Sequence, residues 1–141
     1  MPRAHTLIAL ALLALPLRSV RAQDSLPPSH ADTLRGSITP ERAWWDVTFH
    51  DLHVKVSPGD SSIAGYTGIT YKVLSAARAM QIDLQQPLVV DSMTQDGRTL
   101  TYRRDGNAFL VTLTAEQPIA SHHTITVYYH GRPRVAKNPP W

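Results

Sequence analysis

The side chains with the chemistry to bind a metal ion or to activate water include seven histidines and two glutamates, Glu41 and Glu116. Neither glutamate follows a histidine, so the chain lacks the His-Glu-x-x-His pattern, in which two histidines hold zinc and the glutamate acts as a base. It has no cysteine, which excludes a thiol nucleophile and a cysteine-bound zinc. Gly-rich phosphate loops and the Gly-x-Ser-x-Gly nucleophile turn are also missing. We therefore predict no catalytic residue and no metal site in this chain, which would act as a scaffold or a binding domain.

Two pairs of histidines come nearest to the spacing of metal ligands. His50 and His53 are three residues apart, which on a β-strand places the two rings on opposite faces unless a bulge reorients one of them. His122 and His123 are adjacent, in a segment that we predict to be a loop before the last strand. We interpret both pairs as polar surface positions, with a metal site as the alternative.

The elements that would position any such group are β-strands, because apolar residues recur with a period of two from residue 45 onward. In the first strand the apolar positions change phase once, from Trp45, Val47 and Phe49 to Leu52, Val54 and Val56. One extra residue in a strand causes such a shift, so we predict a β-bulge near His50 and Asp51.

Further alternating segments predict strands at about residues 63–74, 80–84, 88–94, 99–103, 109–113 and 124–130. Asp96-Gly97 is a strong hairpin signal because both residue types tolerate positive φ, and Asp105-Gly106-Asn107 predicts a second tight turn. No segment forms a convincing amphipathic helix. Seven or eight short strands with turns at regular spacing predict an all-β fold, an antiparallel β-sandwich.

The N-terminus has the pattern of a secretory signal peptide. Arg3 and His5 precede a nearly pure apolar run at residues 6–17, which is shorter than the roughly 20 residues that span a bilayer. Val20-Arg21-Ala22 supplies small residues at the two positions that a signal peptidase reads. We predict a signal peptide at residues 1–22 with cleavage after Ala22, export to the periplasm or the medium, and no stable membrane span.

The rest of the chain divides into three parts by composition. Residues 23–43 contain Pro27-Pro28 and no sustained period, which predicts a linker. Residues 44–132 form the predicted sandwich. Residues 133–141 are rich in proline, and we expect this tail to lead into a downstream domain that the chain does not contain.

The charge of the mature chain is balanced. The signal peptide carries Arg3, Arg18 and Arg21, so its removal leaves 14 − 3 = 11 basic residues against 11 acidic residues. A balanced domain lacks the basic surface typical of nucleic-acid binding, so we predict no nucleic-acid partner.

Two aromatic pairs are candidates for binding. In a strand, one member of Trp44-Trp45 and one member of Tyr128-Tyr129 faces outward. We name Trp44 and Tyr128 as possible docking or binding aromatics, with Trp44 the better candidate for contact with a neighbouring domain because it adjoins the linker. For Tyr128 the alternative is edge packing within the fold.

The order of these strands and turns resembles the first part of the aminopeptidase N family of zinc metallopeptidases, peptidase family M1. The similar segments are residues 45–58, 63–71 (IAGYTGITY), 80–84 (MQIDL), 88–92 (LVVDS) and 127–131 (VYYHG). The likeness extends from about residue 44 to residue 132.

The resemblance implies a scaffold function. In that family this region is a non-catalytic N-terminal β-sandwich, which packs on a later thermolysin-like domain that binds zinc. The family's zinc motif and its Gly-x-Met-Glu-Asn substrate motif lie downstream and do not occur in this chain, so no catalytic residue can be carried over. Zinc and peptide substrates would belong only to that catalytic domain. Alone, such a sandwich would expose an apolar patch and self-associate.

A second hypothesis comes from the outward aromatic residues. They suit a free-standing exported β-sandwich that binds carbohydrate or a surface protein.

Overall fold

The computed structural model describes residues 27–135. The predicted signal peptide with its cleavage after Ala22, and residues 136–141 of the predicted tail, lie outside the described residues and stay predictions.

Two short helices occupy the segment for which the sequence predicts a linker. Helix α1 spans His30–Gly36, and helix α2 spans Pro40–Ala43. At the start of α1 the Ser29 hydroxyl accepts a hydrogen bond from the Asp32 N–H at 3.2 Å, while the Asp32 carboxylate accepts one from the Ser29 N–H at 3.1 Å. The Ser29 hydroxyl also lies 2.6 Å from the Asp32 carboxylate, and its hydrogen bond, with that of the Ser29 N–H, lowers the pKa of the Asp32 carboxyl. This reciprocal cap stabilises a helix that is too short to be stable through the intrinsic helix propensity of its residues alone.

The two helices lie against the sandwich. The buried Gln81 amide donates to the Leu34 carbonyl at 2.9 Å, and Arg42 forms an ion pair with Asp83. Within residues 27–135, no helix has both the length and the apolar character needed to cross a membrane.

Within residues 27–135, eight strands form two antiparallel sheets, which confirms the predicted all-β sandwich. The strands are β1 Trp45–Ser57, β2 Ser62–Val73, β3 Ala79–Asp83, β4 Val89–Gln95, β5 Arg98–Thr99, β6 Thr101–Asp105, β7 Ala108–Thr112 and β8 His122–Gly131. The larger sheet has the order β1-β2-β8-β4-β5, and the smaller sheet has the order β3-β7-β6.

The segment predicted as one strand at residues 99–103 belongs to both sheets. Strand β5 pairs with β4 in the larger sheet, whereas β6 pairs with β7 in the smaller one. Between them Leu100 donates its N–H to the Met93 carbonyl at 2.8 Å and buries its side chain. The chain therefore crosses from one sheet to the other at this residue and closes one end of the sandwich.

Both predicted turns are present. Asp96 and Gly97 have φ of 49° and 73°, so the hairpin between β4 and β5 uses the left-handed conformation that Asp-Gly tolerates. Gly106, with φ of 59°, and Asn107 join β6 to β7.

Tyr71 lies at the centre of the core and is fully buried. The rings of Trp44 and Trp45 meet it edge-on, with centroids at 5.8 and 5.7 Å. Its hydroxyl accepts a hydrogen bond from the buried Gln95 amide at 2.9 Å. Burial raises the pKa of the Tyr71 phenol, because a phenolate in the core would lose its hydration.

Strands β1 and β2 approach closely at Gly65. A methyl group at this position would overlap the His53 carbonyl oxygen, and it would lie 3.0 Å from the Val54 Cα atom. Both are backbone atoms, so the contact cannot be relieved by a side-chain rotation.

We predict that Gly65→Ala lowers the free energy of unfolding by about 2 kcal/mol or more, because the two backbones must separate. Urea unfolding measures the change. The control is Gly59→Ala, where a methyl group would meet nothing within 4 Å. Equal stability of the two variants would contradict the close approach.

Tyr71 also predicts a dependence of stability on pH. A group whose pKa is raised by folding contributes stability below its unfolded pKa, and this contribution is lost as the pH rises above it. We therefore expect the chain to lose stability above about pH 10. Tyr71→Phe should cost about 1 kcal/mol at pH 7, by leaving the Gln95 amide unpaired, and should flatten the alkaline loss. The exposed Tyr128→Phe is the control and should keep the parent's slope between pH 9 and pH 11.

Candidate interaction surface

The edge strand β1 lies outside the cover that the smaller sheet provides. Ile69 on β2 is buried in the core, so Thr67, Gly65 and Ile63 share its inward face at intervals of two. Directly opposite residues of a ladder share a face, and these three positions lie opposite Leu52, Val54 and Val56. All three apolar side chains of β1 therefore point to the same side as the core.

They are nevertheless exposed. Leu52 is 64%, Val54 40% and Val56 63% accessible to solvent, and Ile63 is partly buried beside them. We call Leu52, Val54, Val56 and Ile63 the overhang, because they extend the inward face of the larger sheet past the smaller sheet. A contiguous apolar patch of this kind is typical of an interaction site. The sequence predicts an apolar face here, but alternation alone could not show that the face lacks a cover.

The predicted β-bulge exists but lies elsewhere. The register of β1 against β2 shifts between Val47 and Phe49, not at His50 and Asp51. Phe49 consequently lies opposite Thr70 and not on the face of Val47, which lies opposite the buried Tyr71. Its side chain is 62% exposed. The predicted position of the bulge was wrong because the inward face was inferred from apolar residues alone. His50 is polar, yet it lies on the same inward face as Leu52, so the change of face comes before it.

His50 and His53 lie on opposite faces of β1, as their spacing predicts. His50 lies opposite the buried Ile69, on the inward face. On the outward face, His53 stacks on Tyr66 with ring centroids 4.4 Å apart, and its Nε2 atom lies 3.0 Å from the Asp51 carboxylate. The two histidines cannot share a metal ion in this arrangement.

His122 and His123 begin strand β8, whereas the sequence predicts a loop. The His123 Nε2 atom lies 2.8 Å from the Ser121 hydroxyl, and its ring centroid is 6.0 Å from that of Tyr71. Within residues 27–135, no three His, Asp or Glu side chains come together in a group that fits a metal ion. The donor set of the described chain therefore does not fit a zinc site.

The prediction that Trp44 docks onto a partner was wrong. Its side chain is 2% exposed, and its indole donates a hydrogen bond to the Ala79 carbonyl at 2.7 Å. Trp45, the expected inward member of the pair, is also partly buried, and its indole donates to the Glu41 carbonyl at 2.9 Å. Helix α2 positions both rings at the end of the core, so neither is the outward aromatic that a strand would present.

Tyr128 and Tyr129 follow the predicted alternation. Tyr129 is buried, whereas Tyr128 is 39% exposed on the outward face. The Tyr128 ring lies 5.5 Å from that of Tyr66, tilted by 44°. Its role in docking or binding stays a prediction.

Solved structures share this fold. An M1 zinc metallopeptidase from Deinococcus radiodurans, bound to a Tyr-Ser-Ala substrate, is 20% identical over 72% of this chain and 24% of its own, with a TM-score of 0.59. Another structure of the enzyme from this organism is 20% identical over 70% of this chain and 23% of its own, with a TM-score of 0.58. Leukotriene A4 hydrolase from Saccharomyces cerevisiae is 18% identical over 62% of this chain and 15% of its own, with a TM-score of 0.52.

These likenesses confirm, at the level of the fold, the predicted resemblance to M1 zinc metallopeptidases. The chain spans about a quarter or less of the length of the structures that it matches. No protein-family profile matches the chain. No curated protein matches its sequence either.

We predict that the overhang contributes little to the stability of the chain but dominates its binding of hydrophobic dyes. The double variant Leu52→Gln, Val56→Gln should bind about half as much dye, because two of four apolar side chains are replaced. Its free energy of unfolding should change by no more than about 0.5 kcal/mol.

The matched control is Val127→Gln, on the same inward face but buried. It should cost about 3 kcal/mol or more, because a polar amide then enters the core. A comparable loss of stability in the overhang variant would show that Leu52 and Val56 are covered within this chain.

Proposed function

We propose that this chain is the non-catalytic N-terminal β-sandwich of an exported, aminopeptidase-like zinc metallopeptidase, and that it scaffolds a catalytic domain through the overhang. The overhang carries this proposal. It is an apolar surface on a folded domain, and it lies where, among the described residues 27–135, the larger sheet has no second layer. The shared fold with M1 metallopeptidases supports the assignment to this class of protein.

The energy available from covering the overhang suits a contact between linked domains. Fully burying one exposed Leu, Ile or Val side chain contributes about 1.5–3 kcal/mol. The overhang is already partly covered by its own neighbours, so its burial would contribute roughly 3 kcal/mol in total. Such a contact is weak between separate molecules but persists when both surfaces belong to one polypeptide, since the effective concentration is then high.

Zinc in this proposal belongs to the catalytic domain. The described residues do not fit a zinc site, and the chain has neither cysteine nor a His-Glu-x-x-His motif. The sandwich would hold its shape, pack beside the catalytic domain and restrict access to it. Peptide substrates would bind to the catalytic domain and not to this chain.

Export is the second part of the proposal. The apolar run at residues 6–17 and the small residues before the cleavage position at Ala22 support a signal peptide. The chain has no cysteine, so in the periplasm or outside the cell its core must hold it together without disulfides.

A second candidate function rests on Tyr128. This ring is exposed on the outward face, where His130 and Asp91 lie close to it in the ladder and form a hydrogen bond of 2.6 Å with each other. An aromatic ring beside such polar groups suits a carbohydrate ligand, as a free-standing binding module would need. Binding to a glycan array that Tyr128→Ala abolishes would favour this function.

The coding DNA beyond the Trp141 codon tests the scaffold proposal. We expect the reading frame to continue into a segment that encodes His-Glu-x-x-His. The longer product should hydrolyse aminoacyl chromogenic substrates when zinc is bound, whereas the 141-residue chain with added zinc should not. An immediate stop codon with no peptidase-like frame nearby contradicts the proposal, as does chelator-sensitive turnover by the short chain.

The longer product also tests the role of the overhang. Leu52→Lys with Val56→Lys should lower the melting temperature of the catalytic domain and its activity, with the zinc content unchanged. His122→Lys, an exposed change on the outward face, serves as the control and should have no effect. Full activity and stability in the overhang variant would show that the catalytic domain packs elsewhere.

A further inference from the structure

The outer edge of β1 is a second uncovered feature, separate from the overhang. Strand β1 is 13 residues long and stands at the end of the larger sheet, where it pairs with β2 on one side only. Among residues 27–135, no strand pairs with its other side. An edge strand of this length presents a row of N–H and C=O groups that can pair with another chain.

Part of this edge is regular enough to act as a template. The register shift lies between Val47 and Phe49, and from Phe49 to Ser57 every residue follows the ladder without a further break. This regular segment contains nine residues, and its midpoint is His53. Two copies of the segment, paired antiparallel in full overlap, would therefore place His53 opposite His53 of the second copy.

We propose that the free edge of β1 binds the same edge of a second copy of this chain, antiparallel, about a two-fold axis at His53. The two larger sheets would then form one continuous sheet of ten strands, with a self-complementary interface of the kind that closed dimers use. Nine paired residues per copy supply about eight to ten backbone hydrogen bonds.

The side chains match in this register. On the outward face Asp51 lies opposite Lys55 of the second copy, and the symmetry repeats this pair of opposite charges. On the inward face Leu52 lies opposite Val54 of the second copy, and this apolar pair is also repeated. Opposite-charge and apolar cross-strand pairs each stabilise an antiparallel pair.

Neighbouring registers match less well. An axis at Asp51 would place two carboxylates directly opposite each other. An axis at Leu52 would place Asp51 opposite His53, and an axis at Val54 would place Asp51 opposite Ser57, so neither axis pairs Asp51 with a lysine or an arginine. Only the axis at His53 brings Asp51 opposite Lys55 among these choices, and it also gives the longest regular overlap.

The outward side chains are already held in place for such a contact. His53 stacks on Tyr66, and its Nε2 atom lies 3.0 Å from the Asp51 carboxylate. Ordered side chains lose less entropy when a partner strand arrives. The proposal rests on the backbone edge of β1 and on the pairs Asp51–Lys55 and Leu52–Val54, so it does not depend on the proposed function, in which a catalytic domain covers the overhang.

Cysteine cross-linking tests the register, because the chain has no cysteine of its own. In the proposed dimer the two His53 Cα atoms are about 4.5–5.5 Å apart, which is within reach of a disulfide. His53→Cys should therefore form a covalent dimer under mild oxidation. Lys55→Cys lies on the same face of the strand, but its two copies would be about 13 Å apart and should not cross-link.

Three outcomes would contradict this register. Equal cross-linking of His53→Cys and Lys55→Cys indicates random collision, efficient cross-linking of Leu52→Cys indicates the neighbouring axis, and a monomeric His53→Cys chain indicates that the edge does not pair. Each result is read from non-reducing electrophoresis at the same protein concentration.

Charge reversal tests the pairing without cysteine. Asp51→Lys and Lys55→Asp should each weaken dimerisation about tenfold, because each replaces two attractive pairs by two repulsive ones. The double variant restores opposite charges across the interface and should regain most of the dimer. Sedimentation equilibrium measures the dissociation constants, and circular dichroism confirms that each variant is folded. The proposal is overturned if the double variant does not regain dimerisation, or if the parent chain is monomeric at concentrations on the order of 100 µM.

Discussion

The larger sheet has five strands and the smaller sheet has three, and this difference in width decides which side chains are buried. An apolar face is removed from water only where a second layer lies over it. Under the smaller sheet the inward residues of β2, β8 and β4 form a dense core, as Tyr71 and Val127 show. Past its boundary the same alternation continues along β1, and there Leu52 and Val56 remain exposed. One pattern in the sequence therefore produces both the core and the candidate interaction surface.

The core extends beyond the strands because of the segment before β1. Helix α2 ends at Ala43 and positions Trp44 and Trp45 at the end of the sandwich, where both rings contact the Tyr71 ring edge-on. The indole hydrogen bonds to Ala79 and Glu41 satisfy the polar atoms that burial would otherwise leave unpaired. The residues before β1 thus contribute to the packing of the domain and do more than connect it to what precedes.

Strand β1 has three surfaces with different chemistry. Its inward face contributes Leu52, Val54 and Val56 to the overhang, and its outward face carries Asp51 and His53, which stacks on Tyr66 of β2. Its outer edge pairs with no strand among residues 27–135. None of these surfaces assembles the ligands and base that hydrolysis at zinc requires. Each can hold another folded surface in place, which is the work of a scaffold. The apolar face suits a linked domain, and the regular edge suits a second copy of the same strand.

Residue types and their spacing along the chain were enough to predict most of the strands, the turns at Asp96-Gly97 and Gly106, and the absence of a zinc motif. They also placed His50 and His53 on opposite faces. Packing between segments that are distant in sequence determines that Trp44 is buried, that the chain changes sheets at Leu100, and that nothing in residues 27–135 covers the overhang. Alternation records only that apolar side chains share a face, whereas burial depends on whether a segment distant in sequence packs against that face.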